Sequence, residues 1–283
     1  MTATPTPSAR PGGDRPLLVA SSSRRQSRLA DIWRYREFLR TLVVRNLKVK
    51  YQRSMLGFIW TLLNPMLTIG VLTLVFTYFI KIKVEHYWAF VFSGYFVWNF
   101  MLQMLSSATY TLAEHASLRR SVAFPSEVLV LATAASRLVE FAVEMAIAVL
   151  LLIIAHHHGV PASLVLLPWL IAIQVLLAIG LAMPVATLSV FYSDVQHAMP
   201  ILLLMLFYLS PVFYPATLVP ETLRPFYFLN PIAGLLTLYH DVLYSGHWPT
   251  APLLLGVSLA AFGSCALGYM IFNRYKVLFA EIV

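Results

Sequence analysis

The chain has 283 residues, of which 59% are hydrophobic and only 11% charged, and its mean hydropathy is +0.76. A soluble globular domain carries about 25% charged residues, so this chain has too few charges to cover a water-facing surface. The formal net charge of +8 is concentrated at one end, because twelve of the 20 Lys and Arg residues lie at or before Arg53. We therefore expect a membrane protein with a basic N-terminal part, and no nucleic-acid partner.

The first segment, residues 1–30, is rich in Pro, Gly, Ser and Arg and contains no apolar run. A cleavable signal peptide needs such a run, so none is predicted here. The composition is typical of a disordered basic tail.

Residues 31–53 follow a helical period. Ile32, Tyr35, Leu39, Leu42 and Val43 share an arc of about 100° on a helix, and the basic residues lie on the far side. The pattern predicts an amphipathic helix in the plane of the lipid headgroups, drawn there by anionic lipid. A generic membrane anchor and a dedicated partner surface both remain open for it.

Long windows without charged residues follow Arg53, and a membrane helix needs about 20 mostly apolar residues. An all-α polytopic membrane protein with six spans is predicted, at residues 54–80, 87–113, 127–155, 163–192, 197–214 and 250–272. The apolar stretch 226–243 is short and interrupted by Pro231 and Gly234. Short re-entrant helices between spans five and six are therefore expected there.

The basic residues indicate the orientation. With six spans, sixteen Lys and Arg residues lie on the side of both termini and three on the opposite side, while Arg137 lies within a span. The positive-inside bias then predicts cytoplasmic N and C termini.

The third span contains Arg137, Glu140 and Glu144, spaced three and four residues apart and so on one helix face. Charges inside a membrane face a partner, a cavity or a polar path. An Arg137–Glu140 pair that fixes this helix to its neighbours is favoured over contact with a transported group. Glu144 has no partner in this pattern, which leaves a proton-coupled carrier open.

The sequence contains no recognisable motif for ATP hydrolysis or metal binding. The nearest match to a Walker A motif lies between Gly263 and Gly268. It lacks the lysine and lies in a span, so no ATP hydrolysis is expected here. The triplet His156–His158 is a poor metal site, because adjacent residues do not converge on one ion. We predict a protein that is not an enzyme and binds no cofactor itself.

Aromatic residues are numerous, and many lie at span ends, where an interfacial belt explains them. Others could line a pathway, since sugar rings stack their C–H faces on aromatic faces. The candidates for such a channel lining are Tyr78, Phe79, Tyr208, Phe213 and Tyr214.

Five stretches together resemble a known family, the membrane subunits of type 2 ABC exporters for O-antigen, capsule, teichoic acid and related polysaccharides (the Wzm-like group). They are RNLKVKYQRSMLGFIWTLLNP at 45–65, GYFVWNF at 94–100, LRRSVAFP at 118–125, YLSPVFYP at 208–215 and LNPIAG at 229–234. Each is weak alone, but they occur in family order from about Tyr35 onward. The tail before residue 30 lies outside the resemblance.

The resemblance implies a homodimer in the bacterial inner membrane that exports lipid-linked polysaccharide. Two copies of a separate ATPase subunit would bind ATP and Mg and drive it. A cytoplasmic coupling helix at 117–124 would dock into that subunit, an interface helix at 33–53 would touch it, and outer gate helices would occupy 217–244. The residues implied are Ser117, Leu118, Arg119, Arg120, Phe124 and Pro125 for coupling; Trp33, Arg45, Lys48, Lys50 and Tyr51 for the interface helix; and Phe226, Asn230, Pro231 and Tyr239 for the gate.

Three alternatives were weighed. An exporter of drugs or small lipids belongs to the same superfamily, but Trp98-Asn99 and Phe124-Pro125 favour polysaccharide. An ion-coupled carrier should show inverted repeats and paired broken helices, which the sequence does not show. A membrane-embedded enzyme ranks last, because no carboxylate pair, nucleophile–His set or metal box is present.

Overall fold

The computed structural model describes residues 35–52, 55–115, 124–155, 161–276 and 278–279. Within these ranges the regular structure is helical and contains no strand, so the prediction of an all-α protein is confirmed. The tail, Ile32, Trp33 and the His156–His158 triplet lie outside the described residues.

Nine α-helices are described, in chain order α1 Arg36–Tyr51, α2 Ile59–Leu74, α3 Tyr87–Glu114, α4 Glu127–Ala155, α5 Leu167–Phe191, α6 Asp194–Tyr208, α7 Arg224–Tyr227, α8 Pro231–Tyr239 and α9 Ala251–Tyr275. Single π-helical turns extend α2 (Val75–Phe79) and α8 (His240–Tyr244), and 3₁₀ turns lie at Ala162–Leu166 and Ala216–Leu218.

Four helical segments of the described chain are long and apolar enough to cross a bilayer: Ile59–Phe79, Tyr87–Glu114, Ala162–Phe191 and Ala251–Tyr275. A multi-pass membrane protein is thereby confirmed. The other two predicted spans correspond to α4, which has 29 residues and carries charges, and to α6, which has 15 residues. The count of six spans stays a prediction.

Two predicted boundaries were wrong for local reasons. The first span begins at Ile59 rather than residue 54, because Gly57 adopts a left-handed conformation (φ 51°) just before it. The fifth ends at Tyr208 rather than residue 214. Pro211 and Pro215 follow it, and a proline cannot continue the helical hydrogen-bond ladder.

Helix α3 lies at the centre of the bundle. Of its most apolar window, 78% is buried, against 17–33% for the other three spans. Phe96, Val97 and Met101 are completely enclosed, and α2, α4, α5 and α6 all pack against this helix. The remaining spans present apolar faces outward, as lipid or another chain requires.

Helix α1 is amphipathic and packs along α4 instead of crossing the bundle. Leu42 is buried, and Tyr35, Leu39 and Val43 contact the core, which is the apolar arc that the sequence predicts. The basic residues Arg36, Arg40, Arg45 and Lys48 remain exposed, whereas Lys50 turns toward α4.

The segment between α6 and α9 contains the short helices α7 and α8. Asn230 caps α8, accepting a hydrogen bond from the Ile232 amide at 3.0 Å, and Pro231 occupies the first helical turn. The π turn after α8 carries His240, whose buried ring stacks on Phe90 at 4.1 Å. The predicted short helices therefore exist and are anchored to α3.

Helices α5 and α9 approach closely through two glycines. A Cβ added at Gly180 would lie 2.5 Å from the backbone of Ser264 and Cys265, and one added at Gly268 would overlap the backbone of Gly180. Small residues at such a crossing let membrane helices gain van der Waals contact along their backbones.

Gly180→Ala should therefore destabilise the fold, because the new methyl group meets backbone that cannot move aside. Overpacking of this kind costs about 1–3 kcal/mol. Thermal stability in detergent, followed by size-exclusion recovery after heating, should fall by several degrees. Gly263→Ala is the matched control, since nothing lies within 4 Å of its added Cβ. Equal stability of the two variants would contradict the close crossing.

Candidate functional site

The C-terminal end of α1 meets a buried carboxylate on α4. Lys50 Nζ lies 2.8 and 2.9 Å from the two Glu140 oxygens, and the Tyr51 hydroxyl donates to Glu140 Oε1 at 2.6 Å. Glu140 is only 2% exposed. The same Tyr51 hydroxyl lies 2.5 Å from Thr61 Oγ1, so the contact also reaches α2.

Arg137, one turn before Glu140, connects α4 to α3. One guanidinium nitrogen donates to Glu140 Oε2 at 3.0 Å and to Gln103 Oε1 at 2.9 Å, and the other donates to Ser107 Oγ at 2.8 Å. Lys50 also donates to Gln103, at 3.0 Å. We call Lys50, Tyr51, Gln103, Arg137 and Glu140 the Glu140 network.

The Glu140 network follows from the cost of burying charge. A carboxylate removed from water is unstable unless it is paired and hydrogen-bonded, and here two cations and a phenol surround one carboxylate. Burial, and next the nearby Arg137 guanidinium, lower the pKa of Lys50. Burial, and next the hydrogen bond to Glu140, raise the pKa of Tyr51, which keeps the phenol a neutral donor.

Glu144 lies one turn further along α4 and is also buried. Its Oε1 accepts a hydrogen bond from Asn99 Nδ2 at 3.1 Å. The residue that the sequence pattern left without a partner therefore contacts the Trp98-Asn99 stretch of α3.

The segment 116–123 lies outside the described residues, and the residues on both sides of it make contacts with the bundle. After it, Phe124 packs on Phe38 of α1, with ring centroids 4.9 Å apart, and Lys276 donates to Glu127 at 2.6 Å. Before it, the buried His115 donates from Nδ1 to the Thr111 carbonyl at 2.9 Å. The described residues on either side of this segment, His115 and Phe124, thus lie close to α1.

A cavity of about 590 Å³, lined mostly by residues with polar or charged side chains, lies beside the Glu140 network. We call it the α1 cavity, and its walls come from α1, α3 and the start of α4. It is lined by Arg45, Asn46, Leu47, Val49, Lys50, Ser106, Ser107, Tyr110, Thr111, Glu114, His115, Thr133, Ser136, Arg137 and Glu140.

The predicted coupling and interface residues divide into three groups. Ser117, Leu118, Arg119 and Arg120, with Trp33, lie outside the described residues. Pro125 is partly buried beside Phe124. Arg45 and Lys48 are exposed on α1, whereas Lys50 and Tyr51 turn inward to Glu140.

The predicted channel aromatics lie in two places. Phe213 contacts both Tyr208 and Tyr214, at centroid distances of 5.7 and 5.1 Å, and these three form one cluster. Tyr78 and Phe79 are 70% and 74% exposed at the end of the first span. Phe76, which was not among the predicted residues, contacts Phe213 at 5.1 Å and lies in the same π-helical turn as Tyr78 and Phe79.

The predicted gate residues differ in burial. Phe226 is exposed, and Asn230 donates to Ser210 Oγ at 2.9 Å in addition to capping α8 beside Pro231. Tyr239 is completely buried, and its hydroxyl donates to Gln174 at 2.5 Å. The predicted gate segment is thus exposed at α7 and enclosed at α8.

The sequence analysis did not predict Gln103 and Ser107, which accept hydrogen bonds from Arg137. Their spacing of four residues places both on one face of α3, together with Asn99 one turn earlier, and that polar stripe along the span was the available signal. It also missed His240, whose Nε2 donates to the Pro211 carbonyl at 2.7 Å and whose Nδ1 lies 2.7 Å from Ser93 Oγ.

Comparison with known proteins agrees with this organisation. A model of the ABC-2 type transporter family matches residues 37–244. An O-antigen export system permease protein RfbA of Myxococcus xanthus is 29% identical over 255 residues, covering 89% of this chain and 98% of that protein. Two such proteins of Klebsiella pneumoniae are 25% and 24% identical, each covering 87% of this chain and 95% of its own length. The resemblance is thereby confirmed, and all five motifs lie inside the matched region.

Glu140→Gln should destabilise the protein, because Lys50 and Arg137 lose their shared counter-charge. Breaking a buried ion pair costs about 3–5 kcal/mol, and the partial exposure of Lys50 reduces that figure here. The measurement is the thermal midpoint in detergent, together with protease sensitivity of the α1 region. Glu37→Gln on exposed α1 is the control, with an expected change within about 0.5 kcal/mol. Indistinguishable midpoints would contradict the role assigned to Glu140.

Proposed function

This chain belongs to the ABC-2 type transporter family, and we propose that it is the permease subunit of an exporter for lipid-linked polysaccharide. The observation that carries the proposal is the match to O-antigen export permeases along nearly their whole length. O-antigen, capsule, teichoic acid and similar glycans form the substrate class. The chain itself performs transport, not catalysis.

The proposed orientation has both termini in the cytoplasm, with the chain multi-pass in the bacterial inner membrane. The sixteen-to-three distribution of Lys and Arg supports it. Helix α1 and the segment 116–123 then face the cytoplasm, and α7 and α8 face outward.

The proposed assembly is a homodimer with two copies of a separate ATPase subunit, which binds ATP and Mg²⁺. No cofactor is assigned to this chain. The coupling residues at 117–125 would receive the movement of the ATPase. The Phe38–Phe124 contact supports a path from there into α1, and the Glu140 network supports its continuation into α3 and α4.

The proposed route for the glycan passes the cluster of Tyr208, Phe213 and Tyr214, toward the exposed Phe226. Aromatic faces bind the C–H faces of sugars without requiring a particular hydroxyl pattern. Such a surface suits a long chain that must slide, because each sugar replaces the one before it at little cost.

The ATPase partnership can be tested by co-purification. The chain should retain a soluble protein with a Walker A motif, and Arg119→Glu with Arg120→Glu should weaken the complex by reversing two charges on the proposed coupling helix. Arg224→Glu, on the proposed outer side, is the matched control and should retain the partner. Equal recovery with all variants, at unchanged thermal stability, would contradict the coupling assignment.

The substrate class can be tested in cells that lack this chain. Surface glycan should disappear while its lipid-linked precursor accumulates inside, and the wild-type gene should restore the surface glycan. Immunoblotting of surface and internal glycan measures both quantities. Normal surface glycan combined with increased sensitivity to drugs would instead identify an exporter of small molecules.

A further inference from the structure

The α1 cavity is not used by the transport path proposed above. Its volume of about 590 Å³ lies within the range of about 300–1,000 Å³ that small-ligand sites occupy. Most of its lining residues carry polar or charged side chains, and they come from three helices. Such a space has the size and the chemistry of a binding site.

The charges around the α1 cavity do not balance. Three basic residues line it, Arg45, Lys50 and Arg137, against two carboxylates, Glu114 and Glu140. Lys50 and Arg137 share the single carboxylate of Glu140, and within the described chain Arg45 has no acidic partner. Glu144 lies deeper, held by Asn99. The cavity wall therefore has an excess of positive charge.

Hydrogen-bonding capacity points the same way. The Glu140 oxygens already accept bonds from Lys50, Tyr51 and Arg137. Ser107 Oγ accepts from Arg137, which leaves the Ser107 hydroxyl proton for another acceptor. The hydroxyls of Thr111, Thr133 and Ser136 already donate to backbone carbonyls. The donors left for a ligand are therefore mainly the Arg45 guanidinium and the hydroxyls of Ser106, Ser107 and Tyr110, and the acceptors are the Asn46 amide oxygen and the exposed Glu114.

We propose that the α1 cavity binds a phosphate or diphosphate group. Phosphate oxygens are acceptors with negative charge, and guanidinium, ammonium and hydroxyl groups are the donors that bind them best. A neutral sugar would leave the positive charge of Arg45 without a counter-charge, so it fits this wall less well. The phosphate belongs either to a lipid headgroup in the leaflet beside α1 or to a soluble phosphate compound.

The ligand would join α1 to the bundle. Arg45 on α1 and Arg137 on α4 would both contact it, as Glu140 already joins Lys50 to Arg137. Occupancy should therefore tighten the attachment of α1. The proposed site depends only on the geometry of α1, α3 and α4, so it does not depend on which substrate the protein exports. Its assignment to the cytoplasmic leaflet rests on the orientation proposed above.

The purified full-length chain can be tested with two probes. Radiolabelled inorganic pyrophosphate reports a soluble ligand by equilibrium binding in detergent. Nanodiscs of phosphatidylcholine with phosphatidic acid report a lipid ligand, measured as phosphatidic acid retained by the protein in native mass spectrometry. Binding of either probe should weaken about tenfold or more in Arg45→Ala, since a charged hydrogen bond is lost. Ser107→Ala should weaken it less.

Lys48→Ala is the matched control, because Lys48 is a basic residue of α1 that does not line the cavity. Pyrophosphate binding that Arg45→Ala reduces and Lys48→Ala leaves unchanged would support a soluble source, and the same pattern with phosphatidic acid alone would support a lipid source. Failure of the wild type to bind either probe, or equal losses in both variants, would overturn the proposal. Arg45 is exposed and unpaired in the described chain, so Arg45→Ala should fold normally.

Discussion

The buried carboxylate of Glu140 is the point on which the organisation of this protein depends. It can exist away from water only because α1 supplies Lys50 and Tyr51 while α4 supplies Arg137. The requirement to neutralise one charge thus fixes the helix outside the bundle to the helices inside it. A hydrophobic contact would allow α1 to slide, whereas these directional bonds give it one position.

The need to pair buried charges also explains the central position of α3. It contributes Gln103 and Ser107 to Arg137 and Asn99 to Glu144, while its other faces are filled by apolar and aromatic side chains. Any movement of α1 therefore acts on α3 and α4 together. At the opposite end, His240 joins the gate segment to α3 through Ser93. One helix is thus bonded both to the Glu140 network and to the segment that contains α7 and α8.

Much of this could be predicted from sequence, where the information is local. Spacing of three residues gave the Arg137–Glu140 pair, and helical period gave the buried face of α1 around Leu42. The partners of Lys50 and Tyr51 could not be found this way, because Glu140 is about 90 residues distant and nothing local marks it. The end of α6 at Tyr208 was missed although Pro211 signals it, since the apolar run continues beyond the helix.

The charges of α4 also bear on how the protein enters the membrane. A helix with Arg137, Glu140 and Glu144 is costly to insert alone, whereas α3, which precedes it in the chain, is long and apolar enough to cross a bilayer. Asn99, Gln103 and Ser107 of α3, which form hydrogen bonds with Glu144 and Arg137 of α4, are synthesised before α4. The order of the helices in the chain therefore places the partners of these three charges before the charges themselves.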